Sequence, residues 1–240
     1  MNPATAARVP RIEVRRGRRG RELRIDGTFA SYYEPGVSIT GSVWDALGAP
    51  LLLLPRSHRR RVLILGLGGG SVARVVRALA PRAKIVGVEK DRRVLRAARA
   101  HLDLDSLGIE VIEAAAEDFL LRSRRSFDLI IEDVFVGQGR KIHKPDWLPS
   151  PGVGQAVRRL NRGGLFVSNT IDESAEVTRE LARHFPSIVR IVVEDYDNRV
   201  LVGGPRPLAA PALRAAVASE RILAATLPLM NFRTVKGNSS

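Results

Sequence analysis

The chain lacks cysteine altogether and carries only four histidines among its 240 residues. The absence of cysteine excludes disulfides and thiolate nucleophiles, and it favours a cytoplasmic location. The histidines do not show the spacing of metal ligands, so we predict no metal site. Long apolar runs are also missing: the longest, residues 51–54, ends at Pro55 and is far too short to cross a bilayer. We therefore expect a cytoplasmic protein with no membrane-spanning segment.

Aromatic residues make up only 5% of the chain, whereas lysine and arginine outnumber aspartate and glutamate by 39 to 25, which gives a net charge of +14. A basic surface attracts phosphates and other anions through its long-range field. The arginine clusters, such as residues 59–61, are not interleaved with aromatic residues that stack on bases. Nucleic acid is therefore kept as an alternative partner, and a small-molecule acceptor is the primary expectation.

From Arg61 onward, apolar segments of strand length alternate with segments of helical pattern. Residues 62–65 form a continuous apolar run, which is typical of a strand buried on both faces, and a helix is predicted over residues 71–79. Further units follow, and residues 188–202 form a predicted antiparallel hairpin. Repeated β–α units require parallel strands with crossover connections. The pattern predicts an α/β, Rossmann-like fold of the class I methyltransferase type, with a mostly parallel seven-stranded sheet and helices on both faces.

Two further segments flank this region. On the N-terminal side, Asp26-Gly27 is a strong hairpin-turn pair, and a helix is predicted over residues 41–54. On the C-terminal side, prolines lead into an alanine-rich helix that ends near Ala225, and residues 236–240 are expected to be disordered. We divide the chain into an N-terminal arm with hairpin and helix (residues 1–55), a nucleoside-binding domain (56–204), and a C-terminal helix with a tail (205–240).

A glycine-rich turn, residues 66–70 (GLGGG), directly follows the first strand of the β–α region and opens a helix. Glycine lets the backbone turn sharply and approach a ligand, and the helix N-terminus offers free N–H groups. Glu89 lies about 20 residues further on, at the end of the next strand, where its carboxylate is placed to accept hydrogen bonds from ribose hydroxyls. Turn and acid together predict nucleoside binding. The glycine spacing also fits NAD, but the chain shows no second domain for a hydride acceptor.

These segments resemble the spermidine synthase (polyamine aminopropyltransferase) family over roughly residues 23–204. The resemblance rests on the hairpin turn 26–27, the helix end 51–55, the glycine turn 66–70, Val88-Glu89 and residues 127–133 (FDLIIED). It implies that Glu89 holds the ribose of decarboxylated S-adenosylmethionine or methylthioadenosine. It also implies that Asp133 helps to deprotonate the attacking amine, because a carboxylate there orients the amine and accepts its proton. A homodimer is a further expectation from the family.

Several positions depart from the family pattern. Gly69 stands where the family's glycine turn has an aspartate, and Ala114-Ala115 replace a Gly-Asp pair that contacts the adenine. Val136 stands three positions after Asp133, where the family has an aspartate that helps to hold the polyamine. The resemblance therefore implies that the adenosyl pocket is partly kept, whereas the acceptor differs from putrescine.

Asp133, at the carboxyl end of a buried strand, is the candidate catalytic residue, although a carboxylate at this place also caps loops. The candidate cofactor-binding residues are Gly66, Gly68, Gly69, Gly70, Glu89, Glu117 and Asp118. Glu117 and Asp118 lie at a helix start, where the helix dipole alone also accounts for acidic residues.

The expected function is a transferase that uses S-adenosylmethionine or its decarboxylated form, with methylthioadenosine as the product in the second case. Two alternatives remain open. One is an S-adenosylmethionine-dependent methyltransferase that acts on a small molecule or nucleic acid. The other is a non-catalytic relative that keeps the fold.

Overall fold

The computed structural model describes residues 9–236, and within this range the chain forms eleven β-strands and seven α-helices. The strands are β1 (Ile12–Arg16), β2 (Arg21–Ile25), β3 (Thr28–Tyr33), β4 (Arg61–Leu65), β5 (Lys84–Glu89), β6 (Glu110–Glu113), β7 (Phe127–Glu132), β8 (Leu160–Thr170), β9 (Ser187–Val193), β10 (Arg199–Gly203) and β11 (Met230–Lys236). The helices are α1 (Val43–Gly48), α2 (Ser71–Leu79), α3 (Arg92–His101), α4 (Ala116–Arg122), α5 (Gly152–Val157), α6 (Ser174–Ala182) and α7 (Ala210–Ser219). Short 3₁₀ turns occur at Ala49–Leu53, Arg56–His58, Asp105–Leu107, Gly139–Lys141 and Ala224–Leu229.

The N-terminal module is a three-stranded antiparallel sheet of β1, β2 and β3. Asp26 and Gly27 turn the chain between β2 and β3 with positive φ angles of 48° and 79°. Two consecutive residues with positive φ are what a tight hairpin turn requires, so the predicted hairpin is confirmed. β1 adds a third strand beside it, which the sequence pattern did not predict.

The main sheet has the order β11-β9-β10-β8-β7-β4-β5-β6. β4, β5, β6, β7 and β8 pair in parallel, and β10 lies antiparallel between β8 and β9. The predicted class I methyltransferase fold is confirmed. In the described residues the sheet has eight strands rather than seven, because β11 pairs antiparallel with β9 at the edge.

The core lies on both faces of this sheet because the central strands alternate their side chains. Val62 and Ile64 on β4 join the cluster that packs under α1, α2 and α7, whereas Leu63 and Leu65 join the cluster under α4, α5 and α6. All four side chains are fully buried. β4 is therefore covered on both faces, as its continuous apolar sequence predicts.

Hydrogen bonds join the N-terminal module to the glycine-rich turn of the main domain. The Oγ of Ser71, the first residue of α2, accepts from the backbone N–H of Tyr32 at 2.8 Å and donates to the Tyr32 carbonyl at 3.0 Å. Next to it, the N–H of Gly69 donates to Ser31 Oγ at 2.6 Å. The turn after β4 is thus held in place by β3.

Parts of the sequence-based description lie outside the described residues: the start of the N-terminal arm (1–8) and most of the predicted disordered tail (237–240). The predicted C-terminal helix corresponds to α7, and β11 follows it. The three-part division of the chain stays a prediction. Among the described helices, none combines the length and the apolar character needed to span a membrane.

Replacing Ser71 with alanine removes both hydrogen bonds to Tyr32 and takes this partner from two part-buried backbone groups. We expect Ser71→Ala to lower the free energy of unfolding by about 1–3 kcal/mol. Ser106→Ala is the matched control, because its exposed hydroxyl donates only to the nearby Asp103 carbonyl. Urea unfolding of both variants measures the difference, and equal stability would show that the Ser71 bonds do not stabilise the module.

Candidate active site

The carboxyl ends of the central parallel strands meet at one edge of the sheet. The strand register places Leu65 of β4 opposite Val88 of β5 and Glu132 of β7. The glycine turn after β4, Glu89 at the end of β5 and Asp133 directly after β7 therefore come together. In an open α/β sheet this edge is where ligands bind.

Positive φ angles define the glycine-rich turn: 80° at Gly66, 53° at Gly68 and 87° at Gly70. A side chain at these positions is strained, and a Cβ on Gly66 would also collide with the carbonyl oxygen of Asp133. Glycine at position 66 thus allows the loops after β4 and β7 to pass each other at the floor of the site.

Glu89 connects two backbone loops through its carboxylate. Its Oε2 accepts from Gly68 N–H and its Oε1 accepts from Asp91 N–H, each at 3.0 Å. Burial raises the pKa of this carboxyl, and the two backbone donors oppose that shift. Because each carboxylate oxygen has a second lone pair, Glu89 can still accept hydrogen bonds from a diol.

The predicted cofactor-binding residues divide into three groups in the structure. Gly66, Gly68 and Glu89 line the cleft described below. Gly69 and Gly70 instead pack against neighbouring elements, where a Cβ would lie 2.6 Å from Leu102 and 2.7 Å from Leu104. Glu117 and Asp118 occupy the first turn of α4, where Ala116 is the residue of that turn that lines the cleft. Their role in binding stays a prediction.

Asp133 is half-buried and held by two neutral donors. Trp44 Nε1 donates to its Oδ2 at 3.3 Å, and Asn169 Nδ2 donates to its Oδ1 at 2.7 Å. The Asn169 side chain is itself fixed by Asn198, whose Nδ2 donates to Asn169 Oδ1 at 2.9 Å. Burial raises the pKa of Asp133 to about 6, against the smaller opposing effects of Asn169 and the nearby Lys144.

One cleft of about 520 Å³ joins Glu89 and Asp133. This volume is within the range of small-molecule sites. At the Glu89 end, the apolar walls include Ile25, Val88 and Ala114. Asp26 lines the same cleft, and its buried Oδ2 has no hydrogen-bond partner among the described residues. A buried acceptor without a partner is unfavourable, so this oxygen is suited to a donor on a bound ligand.

A buried ion pair lies behind Asp133, on the other side of the strand. Lys144 Nζ contacts Glu132 Oε1 at 2.6 Å and donates to the Val134 carbonyl at 3.0 Å, and both charged side chains are only 2% exposed. Glu132 Oε2 also accepts from Ser168 Oγ at 2.6 Å. Lys144 thereby anchors the loop 134–148 to the sheet next to the catalytic candidate.

Sequence reasoning did not identify Trp44, Lys144, Asn169 or Asn198 as parts of the site. Trp44 lies 89 residues before Asp133 and Asn169 lies 36 residues after it, so no local spacing connects them. The available signal was the position of Asn169 near the carboxyl end of β8, which places its side chain at the same sheet edge. No group of three or more potential metal ligands occurs in the described part of the chain.

Trp44 reports directly on the ionisation of Asp133, because its indole N–H donates to that carboxylate. In a Trp147→Phe background, which leaves Trp44 as the single tryptophan, we expect the fluorescence emission to change with a midpoint near pH 6. Adding Asp133→Asn removes the titrating group. A transition that persists in the double variant, or none between pH 4 and 8, would contradict the assignment.

Lys144→Met leaves Glu132 buried without its cation. We expect the free energy of unfolding to fall by about 3–5 kcal/mol in urea denaturation. The double variant Glu132→Gln/Lys144→Met removes both charges and should recover part of this loss. Arg125→Met is the control, since its ion pair with Glu110 is half exposed on both sides and contributes at most about 1 kcal/mol. If Lys144→Met and Arg125→Met lower the free energy of unfolding equally, the buried pair contributes no more to stability than the exposed one.

Comparison with known proteins supports the fold independently. A family model described as a methyltransferase domain matches residues 62–164. This range runs from β4 into β8 and contains the glycine turn, Glu89 and Asp133.

A curated relative is the polyamine aminopropyltransferase of Chromobacterium violaceum, which is 33% identical over 120 residues. The match covers 49% of this chain and 44% of the relative, so the chain spans less than half of that protein's length.

Among solved structures, a probable spermidine synthase from Corynebacterium glutamicum superposes with a TM-score of 0.74 at 20% identity and covers 98% of this chain and 92% of its own. Human methyltransferase-like protein 13, solved in complex with SAH, gives a TM-score of 0.57 at 23% identity, with 78% of this chain and 90% of its own covered. At such identities the likeness shows the fold alone. The chain therefore has the class I methyltransferase fold, and its resemblance to the spermidine synthase family is confirmed.

Proposed function

We propose that the chain is a transferase that binds a sulfonium nucleoside of the S-adenosylmethionine type at the Glu89 end of the cleft and passes a group to a small-molecule nucleophile at the Asp133 end. One observation carries this proposal: a single cleft joins a carboxylate suited to a ribose with a carboxylate that has a raised pKa. Raised pKa values in a cleft are typical of functional acids and bases.

The residues at the Glu89 end fit a nucleoside. Glu89 offers free lone pairs to a ribose diol, Ala114 and Ala116 provide small apolar surfaces for a base, and Gly68 allows close approach of the backbone. The cleft is also acidic in spite of the basic surface, since its charged lining residues are Asp26, Glu89, Asp91 and Asp133 with Lys90 as the single cation within the described chain. Local negative charge favours a cationic sulfonium ligand.

The chemistry needs little from the protein besides positioning and one proton acceptor. The bound nucleoside supplies a sulfonium carbon, at which the nucleophile's lone pair forms the new bond while the C–S electron pair leaves as a neutral thioether. Asp133 takes the proton that an ammonium acceptor must lose first. A carboxyl group with a pKa of about 6 is mostly ionised at neutral pH and is a better proton acceptor than an ordinary aspartate.

The transferred group is aminopropyl in the first candidate, in line with the resemblance to polyamine aminopropyltransferases. Methyl transfer is the second candidate. It is favoured by the match to a methyltransferase domain and by Val136, which removes a carboxylate that a polyamine would use. Both candidates place the nucleoside at Glu89 and the nucleophile at Asp133.

Thermal-shift titration distinguishes the candidates with five ligands: S-adenosylmethionine, its decarboxylated form, methylthioadenosine, S-adenosylhomocysteine and NAD. A ligand at about 100 times its dissociation constant stabilises the fold by about 2.7 kcal/mol. We expect stabilisation by sulfonium nucleosides and their products and none by NAD. Preference for the decarboxylated form and methylthioadenosine supports aminopropyl transfer, and preference for S-adenosylmethionine and S-adenosylhomocysteine supports methyl transfer.

The same titration tests Glu89. Glu89→Ala removes the acceptor of the ribose hydroxyls, and we expect affinity to fall by about tenfold or more, since one hydrogen bond to a charged group contributes about 1.5–3 kcal/mol. Glu113→Ala is the matched control: Glu113 is the register partner of Glu89 on β6, but it is exposed and pairs with Arg92. If none of the five ligands stabilises the wild type, a non-catalytic relative is favoured.

A further inference from the structure

The cleft has two ends that differ in the number of acidic groups. Asp91 pairs with Arg93 at 2.6 Å, and Arg93 also donates to the Pro10 carbonyl. Beside Pro10, the Arg11 N–H donates to Asp26 Oδ1 at 2.8 Å. Asp26 and Asp91 are thus neighbours, and Asp91 is joined to Glu89 through its N–H. Three of the four acids that line the cleft therefore belong to the nucleoside end.

The other end holds Asp133 among apolar and uncharged polar side chains, the polar ones being Gln138, Asn169, Tyr196 and Asn198. Val136 follows it on the same loop, and Ile142 is adjacent to His143, whose backbone pairs with Val136 at 2.9 Å in both directions. The ring of Phe29 packs edge-on against Trp44, the Asp133 donor, at 5.0 Å between centroids. Other apolar lining residues near this point are Phe135 and Ile171. Among the described residues that line this end, Asp133 is the single carboxylate.

The loop that carries these apolar residues closes onto the N-terminal hairpin. The N–H of Gly139 donates to Thr28 Oγ1 at 3.3 Å, so the loop tip reaches β3. At the other end of the loop, Lys144 makes two anchoring contacts. Its Nζ donates to Glu132, and its backbone N–H donates to Glu173 Oε1 at 2.8 Å. The acceptor end is therefore bounded by this loop, and among the described residues that line it one is acidic.

We propose that the acceptor is a monoamine with an apolar body rather than a diamine, an inference that rests on the transferase function proposed above. Asp133 is the single carboxylate that lines this end within the described chain, so one ammonium group can pair there with an acid. A second ammonium on the same molecule would lie against Val136 and Ile142 without a carboxylate, and burying an unpaired charge is unfavourable. An alkyl or aryl body in the same place buries apolar surface instead. Val136 is the specificity-determining residue, since a carboxylate at that position would receive the distal ammonium.

Two amines of equal size test this inference. n-Pentylamine and 1,4-diaminobutane differ by the replacement of one ammonium with a methyl group. Each is titrated calorimetrically into the protein at pH 8, with and without saturating methylthioadenosine. We expect the wild type to bind n-pentylamine about tenfold or more tightly than 1,4-diaminobutane. Val136→Asp should reverse the order, and Val136→Thr, which has the same shape without the charge, should keep it.

The outcomes are separable. A wild type that prefers 1,4-diaminobutane, binds both amines equally or binds neither overturns the inference. If methylthioadenosine does not bind, the result counts against the proposed function. The relative affinities of the two amines, measured without nucleoside, still decide the acceptor class. If Val136→Asp fails to fold, the affinities of the wild type for the two amines still decide the inference, and Val136→Thr should show the same order.

Discussion

The carboxylate of Glu89 holds the site together, because it joins the loop after β4 to the loop after β5 through Gly68 and Asp91. The glycine turn has a single side chain, that of Leu67, which is buried in the core. Its geometry depends on this acid from one side and on Ser31 of the N-terminal module from the other. A nucleoside bound at Glu89 would therefore find backbone and carboxylate already arranged, which reduces the ordering cost of binding.

Strand alternation separates two adjacent acids into different roles. The side chain of Glu132 is buried and forms an ion pair with Lys144. The side chain of Asp133 lines the cleft, and the side chains that donate hydrogen bonds to it are neutral. Although the chain has a net charge of +14, four of the five charged residues that line the cleft in the described part of the chain are acidic. Net charge describes long-range attraction to the surface as a whole, but the ligand at the sheet edge meets the few groups that line it. The basic composition is thus a weak guide to the substrate.

Local patterns account for what could be predicted from the sequence. The hairpin turn at Asp26-Gly27, the strand–turn–helix around Gly66–Gly70 and the position of Glu89 each depend on neighbours within about 20 residues. β11 was not predicted because it pairs with β9 across α7, and nothing in its own residues identifies that partner. Trp44 and Asn169 reach Asp133 from distant segments, and Lys144 is buried although an isolated lysine is usually exposed. Such contacts are determined by tertiary packing.

The buried environment of Asp133 raises its pKa, which favours proton acceptance from an amine but lowers the stability of the fold when the carboxylate is ionised. Because its pKa is raised to about 6, the folded state favours the protonated form, and the stability associated with that form is lost as the pH rises through 6. The fold tolerates an ionised, desolvated carboxylate at neutral pH because Trp44 and Asn169 donate to it and Lys144 lies behind it. An ammonium acceptor in the cleft would supply the missing counter-charge. The same group is then both the ligand that stabilises Asp133 and the source of the proton that Asp133 must accept, so a single acid suffices for an acceptor with a single amine.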